Sequence, residues 1–383
     1  MKPHIIIKLR AESAAPDVPY WQAILTEKDA RTETFLPAVD RIVKTYNLPV
    51  WATREYQASD RSWSDEEQQS GLNRIYRLIL RRSGTIPQSM IDRIALLPQV
   101  ERIHVGTVAA IPLPRPRAQS LSSRTDLESR KKIYLPQAHR ICTGDKHVTI
   151  AVLDTGIDIN HPELSHRMLP GKDFDNILDG AGQFLGDFLD ADHDPDDDVG
   201  HGTHVAGIIG AAGRAMPRGV APQCSILPVR VLAALKKGDG VVGAGLIENI
   251  DAGVKYAVDR GADVINMRLG VQHRDGGLPH HEVIDYAVRK GVTIVAASGN
   301  DGTDQLYYPG AFDQVIAVGA CDVYGEVAAF STYGSQVSFV APGTNIYSSH
   351  IDGGYAFSSG TSHAAPFVAG AVGLLKSYAK TFN

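Results

Sequence analysis

The run Val148-Thr-Ile-Ala-Val-Leu153, with Asp154-Thr-Gly156 directly after it, decides the fold of this chain. An apolar run of this length that stops at a polar turn is typical of a buried parallel strand. In open α/β sheets, residues just beyond the carboxyl ends of such strands form the functional site. The segment therefore predicts an α/β domain with Asp154 at its site, although a simple strand-ending turn gives the same three residues.

Strand-like and helix-like segments alternate through the rest of the chain. We expect strands at Val148–Leu153, Ser225–Leu232, Asp263–Met267, Val292–Ala297, Val315–Ala320 and Gln336–Ala341. We expect helices at His201–Ala212, Gly243–Arg260 and Glu282–Lys290. This alternation predicts a mostly parallel sheet with helices on both faces.

Two further segments carry reactive side chains. Gly200-His-Gly-Thr-His-Val-Ala-Gly207 surrounds His201 and His204 with small residues, which allow a helix start to pack closely against strands. Either histidine could bind a metal, but no Glu of the HExxH pattern lies between them, so zinc is the minor interpretation. Ser362 begins an apolar helix, where the helix dipole favours an oxyanion. Alone, a serine there is usually an N-cap.

The chain order Asp154, His201, Ser362 and the residues around each resemble the subtilisin-like serine proteases, or subtilases. The resemblance implies a three-layer α/β fold and a serine endopeptidase that forms an acyl-enzyme. It makes His201 the general base, Asp154 its orienting partner and His204 structural. By the same match, Asn300, at the end of the strand from Val292, is the second oxyanion donor.

The resemblance also points to substrate-binding residues. Asp263–Gly270 matches a segment that lines the family's specificity pocket, with Arg268 where serine is usual. This guanidinium could pair with an acidic substrate, block the pocket or point into solvent. We expect an extended substrate to add as a strand at two segments, with the candidate residues Gly238, Gly240, Val241, Arg268, Leu269 and Gly270. His363 stands where methionine is common and could alter the pH profile.

The sequence gives only weak metal candidates, and we expect no required cofactor. The segment Gly186–Asp198 contains seven aspartates, of which the candidate Ca²⁺ ligands are Asp187, Asp190, Asp192, Asp194 and Asp196. The alternative is a solvated acidic loop that attracts basic substrates. The family's common calcium loop follows the histidine helix. Here Ala212–Gly219 stands in that place with two arginines and no Asn or Asp, so we expect that site to be lost.

The sequence divides into three parts. Residues 1–111 predict a small α+β domain with strands at His4–Arg10, Leu72–Arg81, Val100–Val105 and Thr107–Ile111, and helices at Thr34–Tyr46 and Pro87–Leu97. This ferredoxin-like pattern resembles the subtilase pro-domain, which is an intramolecular chaperone and inhibitor. Residues 112–133, rich in Pro, Ser and Arg, predict an exposed linker that is either a maturation site or permanent. Residues 134–383 form the predicted catalytic domain.

Composition excludes several classes of protein. The 383 residues are 43% hydrophobic and 21% charged with a net charge of −5, so nucleic acid is not an expected partner. No 18-residue apolar run and no secretory signal are present, so we expect a cytoplasmic protein or export by a signal-independent route.

Only 21 residues follow Ser362, which indicates a compact or truncated domain. The three cysteines predict no disulfide framework, and Cys224 and Cys321 are expected to be buried.

Two alternatives to a general endopeptidase remain open. The chain could be an autoinhibited or inactive subtilase that binds a partner protein, as the missing signal, Arg268 and the short C-terminus indicate weakly. It could also be a narrow-specificity processing protease in the cytoplasm. Labelling with a fluorophosphonate separates the binding role from the enzymes, and cleavage profiling separates the two enzymes.

Overall fold

The computed structural model describes residues 3–82, 84–112, 124–175, 184–185, 193–237, 240–267, 270–272 and 278–381. Its centre is a seven-stranded sheet in the order β17-β16-β14-β12-β6-β9-β7, and all paired neighbours are parallel. The strands are β6 (Thr149–Asp154), β7 (Lys172–Asp173), β9 (Ser225–Arg230), β12 (Val264–Met267), β14 (Thr293–Ala297), β16 (Ile316–Cys321) and β17 (Val337–Pro342).

Helices cover both faces of this sheet. They are α7 (His201–Gly210), α8 (Ile247–Asp259), α9 (His281–Arg289) and α10 (Thr361–Lys380). One apolar core contains residues of α8 and α9, and a second contains residues of α7 and α10. The inner strands β6, β9, β12, β14 and β16 are buried on both faces and are largely apolar, whereas Ser338, Phe339 and Val340 of the edge strand β17 are exposed. The predicted three-layer α/β architecture is confirmed, and in the described residues no helix has both the length and the hydropathy to cross a bilayer.

The N-terminal residues fold around a second, antiparallel sheet in the order β2-β3-β1-β4. Its strands are β1 (His4–Leu9), β2 (Val50–Arg54), β3 (Ile75–Leu80) and β4 (Val100–Val105). The helices of this part are α1 (Ala23–Thr26), α2 (Pro37–Thr45), α3 (Asp65–Gln69) and α4 (Gln88–Ala95). The inward residues of β1, Ile5, Ile7 and Leu9, share one core with α2 and α4. Strand β2 is an element that the sequence analysis missed.

The opposite face of the N-terminal sheet packs on α8 and α9. Ile6 belongs to the core that contains α8, and its neighbour Lys8 places its Nζ 3.0 Å from Glu282 Oε1 on α9. Arg102 Nη2 on β4 lies 2.9 Å from the same oxygen. Alternation along β1 therefore divides its side chains between the core of the N-terminal sheet and an interface with α8 and α9 that includes charged groups.

Strand β5 (Val108–Pro112) leaves the N-terminal sheet and joins a third sheet, in the order β5-β11-β10-β8. The other members are β8 (Phe184–Leu185), β10 (Ala233–Lys237) and β11 (Gly240–Leu246). The strand predicted at Thr107–Ile111 therefore exists, but its partner belongs to the catalytic domain. The sequence analysis assigned Gly243–Arg260 to one helix, and this was wrong for Gly243–Leu246, which are part of β11.

The predicted linker also differs from the structure. Residues Arg124–Lys132 form α5, which precedes the short α6 (Leu135–Ala138). Ser129 and Arg130 are buried, Arg130 Nη1 donates to the carbonyl oxygen of Arg218 at 2.8 Å, and its guanidinium lies 5.2 Å from the Phe367 ring centroid. The second half of the segment is therefore packed on the catalytic domain, and the division of the chain at 111 and 133 stays a prediction.

Two small antiparallel pairs complete the fold. They are β13 (Val271–Gln272) with β15 (Tyr307–Tyr308), and β18 (Ile346–His350) with β19 (Gly354–Ser358). Strand β18 packs on α7, where Ser348 Oγ and Ser349 Oγ donate to the carbonyl oxygens of His204 and Thr203. This hairpin holds the histidine helix from the side away from the sheet.

Candidate active site

Asp154 is the last residue of β6 and is completely buried. Its Oδ1 accepts hydrogen bonds from the Thr155 N–H and from His201 Nδ1, each at 2.8 Å. Because Nδ1 donates to the carboxylate, it carries the hydrogen of the neutral imidazole. Nε2 then has a free lone pair that can accept a proton. The predicted pairing of Asp154 with His201 is thus present in the geometry.

His201 is the first residue of α7, and close backbone packing brings it to Asp154. A Cβ on the next residue, Gly202, would lie 1.9 Å from the Gly156 oxygen and 3.1 Å from Asp154 Cβ. Only glycine allows the helix to approach the end of β6 so closely. The small residues that the sequence analysis read as a packing signal therefore set the distance between the two side chains.

Ser362 lies in the first turn of α10 and is 1% exposed. The residue beside it, His363, has its ring centroid 5.2 Å from that of His201. The starts of α10 and α7 therefore lie close together, which brings the backbone of Ser362 near His201. Pro366, inside α10, has no N–H to donate to the Ser362 carbonyl, so the first turn of the helix is incompletely bonded.

Asn300 follows β14 and is tied to the start of α10. Its Oδ1 accepts from the Thr361 N–H at 2.8 Å and from Thr361 Oγ1 at 3.0 Å. Because the oxygen is engaged, the Nδ2 amide is the group of this exposed side chain that can donate to a ligand. The arrangement suits the predicted role of Asn300 as an oxyanion donor beside Ser362.

His204 and His363 are buried and pack on each other, with ring centroids 4.5 Å apart. His204 Nε2 donates to the Ala356 carbonyl oxygen at 3.1 Å. Burial lowers the pKa of His204 to about 4, although that hydrogen bond acts in the opposite direction. His204 is thus a neutral packing residue, as the family match implied, and the described residues contain no cluster of three or more metal-binding side chains.

The acidic segment is only partly described. Asp187, Asp190 and Asp192 lie outside the described residues, whereas Asp194 Oδ1 accepts from the Asp196 N–H at 3.2 Å. Burial raises the pKa of Asp196 above its ordinary value. Calcium binding by this segment stays a prediction.

Asp197, in the same segment, is buried and accepts five hydrogen bonds from Thr155, Val199, Gly200 and Thr203. Burial raises its pKa, against the lowering effect of these bonds. The sequence analysis counted Asp197 only as one of the seven aspartates of the acidic segment and missed this role. Its position four residues before His201 was the available signal.

The loop after α7 is arranged around a carboxylate. Glu163, completely buried, accepts from the N–H groups of Gly213, Arg214 and Ala215 at 2.5 to 3.0 Å. These bonds lower the pKa of Glu163 in spite of its burial, which acts to raise it. The N–H groups of this loop converge on an anion, whereas Ca²⁺ needs oxygen ligands, and the loss of the family's common calcium loop stays a prediction.

Strand β11, which begins at the predicted substrate-binding residues Gly240 and Val241, pairs with β5 of the same chain. In the antiparallel register of β5 and β11, Ala109 faces Gly245, Ala110 faces Ala244 and Ile111 faces Gly243. The predicted residues Gly240 and Val241 instead pair with Lys237 and Lys236 of β10, next to the connection between β10 and β11. The stretch of β11 that pairs with β5 is therefore Val242–Leu246, directly after Gly240 and Val241, and strand addition of a substrate stays a prediction.

The remaining predicted pocket residues are less informative. Gly238, Arg268 and Leu269 lie outside the described residues. A Cβ on Gly270 would lie 3.0 Å from Tyr307 Cβ, so this glycine packs tightly beside β15. Cys224 and Cys321 are buried, as expected, and none of the three cysteines is in a disulfide.

Comparison with known proteins agrees with this geometry. Residues 145–383 match the model of the subtilase family. The major intracellular serine protease of Bacillus subtilis (strain 168) is 38% identical over 258 residues, which are 66% of this chain and 75% of that protein. Thermitase of Thermoactinomyces vulgaris is 39% identical over 253 residues, 66% of this chain and 82% of that protein. Subtilisin BL of Lederbergia lenta is 37% identical over 246 residues, 64% and 82% of the two chains.

Proposed function

Since this chain belongs to the subtilase family and is a serine endopeptidase, we propose that Ser362, His201 and Asp154 are its catalytic triad. The observation that carries the proposal is the 2.8 Å hydrogen bond between Asp154 Oδ1 and His201 Nδ1, with the ring of His363, the residue after Ser362, 5.2 Å from the ring of His201. A carboxylate bonded to one imidazole nitrogen, with a serine close to the ring, suits nucleophilic catalysis by that serine.

The proposed reaction is acyl transfer. Ser362 Oγ attacks the substrate carbonyl carbon while His201 Nε2 takes its proton, and Asp154 stabilises the imidazolium. The imidazolium then returns the proton to the leaving amine, and water repeats the sequence on the acyl-enzyme. The Asn300 Nδ2 amide and the Ser362 N–H donate to the oxyanion, and the second of these is unpaired by the geometry of a helix start.

We also propose that the N-terminal domain is an intramolecular inhibitor and that the chain is a zymogen. Strand β5 pairs with five consecutive residues of β11, where an extended substrate is expected to add as a strand. A substrate must displace this strand before it can bind. Because α5 is packed on the catalytic domain, the proposed maturation cut falls between the end of β5 and the start of α5.

The proposed substrate is a protein or peptide in extended conformation. We propose the cytoplasm as the place of action, since the relatives include the major intracellular serine protease of Bacillus subtilis.

The test is Ser362→Ala in the full chain, with hydrolysis of denatured casein as the assay. We expect hydrolysis to be abolished, because the hydroxyl is the proposed nucleophile. We expect the thermal unfolding midpoint to be unchanged, because the variant loses only one oxygen atom. Ser338→Ala, an exposed serine on β17, is the matched control and keeps full activity. Turnover by Ser362→Ala equal to that of the control rejects the triad.

The zymogen proposal has its own test. A fluorophosphonate probe is applied before and after limited proteolysis between residues 112 and 124. Labelling that rises after the cut supports inhibition by β5. Equal labelling in both states rejects inhibition, and no labelling in either state favours the alternative of an inactive subtilase that binds a partner protein.

A further inference from the structure

We propose that Asp197 is a positioning residue whose carboxylate fastens the first turn of α7 to the end of β6 and so holds His201 against Asp154. The inference rests on the triad proposed above. It adds a residue that touches neither substrate nor Ser362 and acts through the placement of the general base.

The contacts of Asp197 join three pieces of backbone. Its Oδ1 accepts from Thr155 Oγ1 at 2.8 Å, from the Val199 N–H at 3.0 Å and from the Gly200 N–H at 2.9 Å. Its Oδ2 accepts from the Thr203 N–H at 2.9 Å and from Thr203 Oγ1 at 2.7 Å. One buried side chain thus bonds the residue after Asp154, the two residues before His201 and the first turn of the helix.

The two threonines extend the same connection. Thr155 Oγ1 accepts from the Gly202 N–H at 3.0 Å, and Thr203 Oγ1 accepts from the Asp158 N–H at 2.9 Å. Each hydroxyl takes a backbone hydrogen on one side and donates its own hydrogen to Asp197 on the other. Thr155, after β6, accepts from the helix start, and Thr203, in the helix, accepts from the loop after β6. The two segments are therefore bonded by a side chain from each.

Helix α7 depends on this carboxylate because its own N-cap residue cannot bond the first turn. The N-cap is Gly200, with φ of 90° and no side chain. The N–H groups of the first turn need acceptors. Thr155 supplies the acceptor for Gly202, and Asp197 supplies it for Thr203. Asp197, which precedes the helix, therefore accepts the hydrogen bond that an N-cap side chain would normally accept.

All five partners of Asp197 donate a hydrogen, so only the carboxylate fits. An asparagine places two N–H hydrogens where acceptors are needed and leaves a buried donor facing donors, a costly arrangement. The resulting shift of α7 acts directly on the hydrogen bond between His201 and Asp154. A misplacement of the base of this kind lowers the rate of proton transfer without changing the surface that binds substrate.

The experiment compares Asp197→Asn, Thr155→Val and Thr155→Ser with the parent, all as full chains. We measure kcat, KM and the pH dependence of kcat/KM on a peptide substrate, together with the thermal unfolding midpoint. For Asp197→Asn we expect kcat to fall about tenfold or more, with KM within about twofold. Thr155→Val is expected to change in the same direction without any change of charge, and Thr155→Ser, which keeps the hydroxyl, is expected to restore the parent values.

The pH profile separates positioning from simple stabilisation. The titratable groups around His201 are Asp154 from β6, which bonds its Nδ1, and His363 from α10, whose ring lies 5.2 Å from its own. Asp197 and His350 of β18 both contact the preceding residue, Gly200. A weaker bond to Asp154 stabilises the imidazolium less, so the acid limb moves to lower pH. A role in stability alone lowers the unfolding midpoint and leaves the acid limb in place.

The outcomes are distinct. Loss of kcat with a shifted acid limb in Asp197→Asn and Thr155→Val, but not in Thr155→Ser, supports the proposal. Unchanged kcat and acid limb in either of the first two variants overturns it. If Asp197→Asn does not fold, the two threonine variants decide. Failure of the triad itself is seen separately, as casein hydrolysis by Ser362→Ala.

Discussion

Glu282→Gln tests whether the charged interface keeps β5 in place. Glu282 Oε1 lies 3.0 Å from Lys8 Nζ and 2.9 Å from Arg102 Nη2, and its side chain is 8% exposed. Burial alone raises the pKa of Glu282, but Arg102 and Lys8 lower it below its ordinary value. The carboxylate is therefore held in its charged form by two cations of the N-terminal domain.

The magnitude follows from the two contacts. A hydrogen bond to a charged group contributes about 1.5–3 kcal/mol and a neutral one about 0.5–1.5 kcal/mol, so each contact loses about 1 kcal/mol in the glutamine variant. The sum of about 2 kcal/mol corresponds to a roughly 30-fold larger population with β5 undocked. Under the proposed inhibition only this population binds a probe at Ser362, so we expect fluorophosphonate labelling of the intact chain to rise by about the same factor.

Glu101→Gln is the matched control. Glu101 also pairs with Lys8, at 2.7 Å, but its second partner is Arg74, in the N-terminal domain itself. Labelling in Glu101→Gln is expected to stay within a few-fold of the parent. Equal labelling in Glu282→Gln and Glu101→Gln refutes the reasoning that contacts across the interface hold the domain closed.

Two further variants test the site and the loop behind it. Asn300→Ala is expected to lower kcat by a factor of about 10²–10³, the range known for an oxyanion asparagine in a subtilisin, with little change in KM. Steady-state kinetics measure both constants. An unchanged kcat would show that Asn300 does not stabilise the oxyanion. Glu163→Gln is expected to lower the free energy of unfolding by about 2 kcal/mol at pH 7, because the charged acceptor of the loop N–H groups is lost. Since the pKa of Glu163 is lowered in the folded state, its contribution is present above the ordinary value of 4.5 and is lost as pH falls through the folded-state pKa. Urea unfolding at pH 7 and near pH 3 is expected to show a smaller difference between parent and variant at the lower pH, and a constant difference contradicts the assignment.

Sequence alone was sufficient where one chain segment determines its own environment. The buried strands are continuous apolar runs, and β6, β9, β14 and β16 lie within two residues of the predicted bounds. Asp154, His201 and Ser362 were predicted from their chain order and flanking residues, through the resemblance to subtilases, and each stands at a strand or helix end with small residues beside it. Local pattern and tertiary structure agree at these positions, so the prediction needed no knowledge of distant contacts.

Prediction failed where the deciding partner is remote in sequence. Gly243–Leu246 has the small residues of a close-packed helix start, but it is a strand because β5 and β10 pair with it from both sides. Arg124–Lys132 has little apolar content, and its helix is held by Arg130 against Arg218 and Phe367. Asp197 is one of seven aspartates in a polar segment, and only the convergence of five donors distinguishes it.

The pairing of β5 with β11 also determines how the proposed inhibition responds to dilution. A strand tethered to the domain that it blocks competes at a fixed effective concentration, in the millimolar range for short connections, however dilute the protein is. A cut between β5 and α5 converts this competitor into a separate molecule. After the cut, the fraction of protein with β5 bound falls as the sample is diluted. Cleavage therefore both releases the strand and makes the activity depend on the total concentration of the protein.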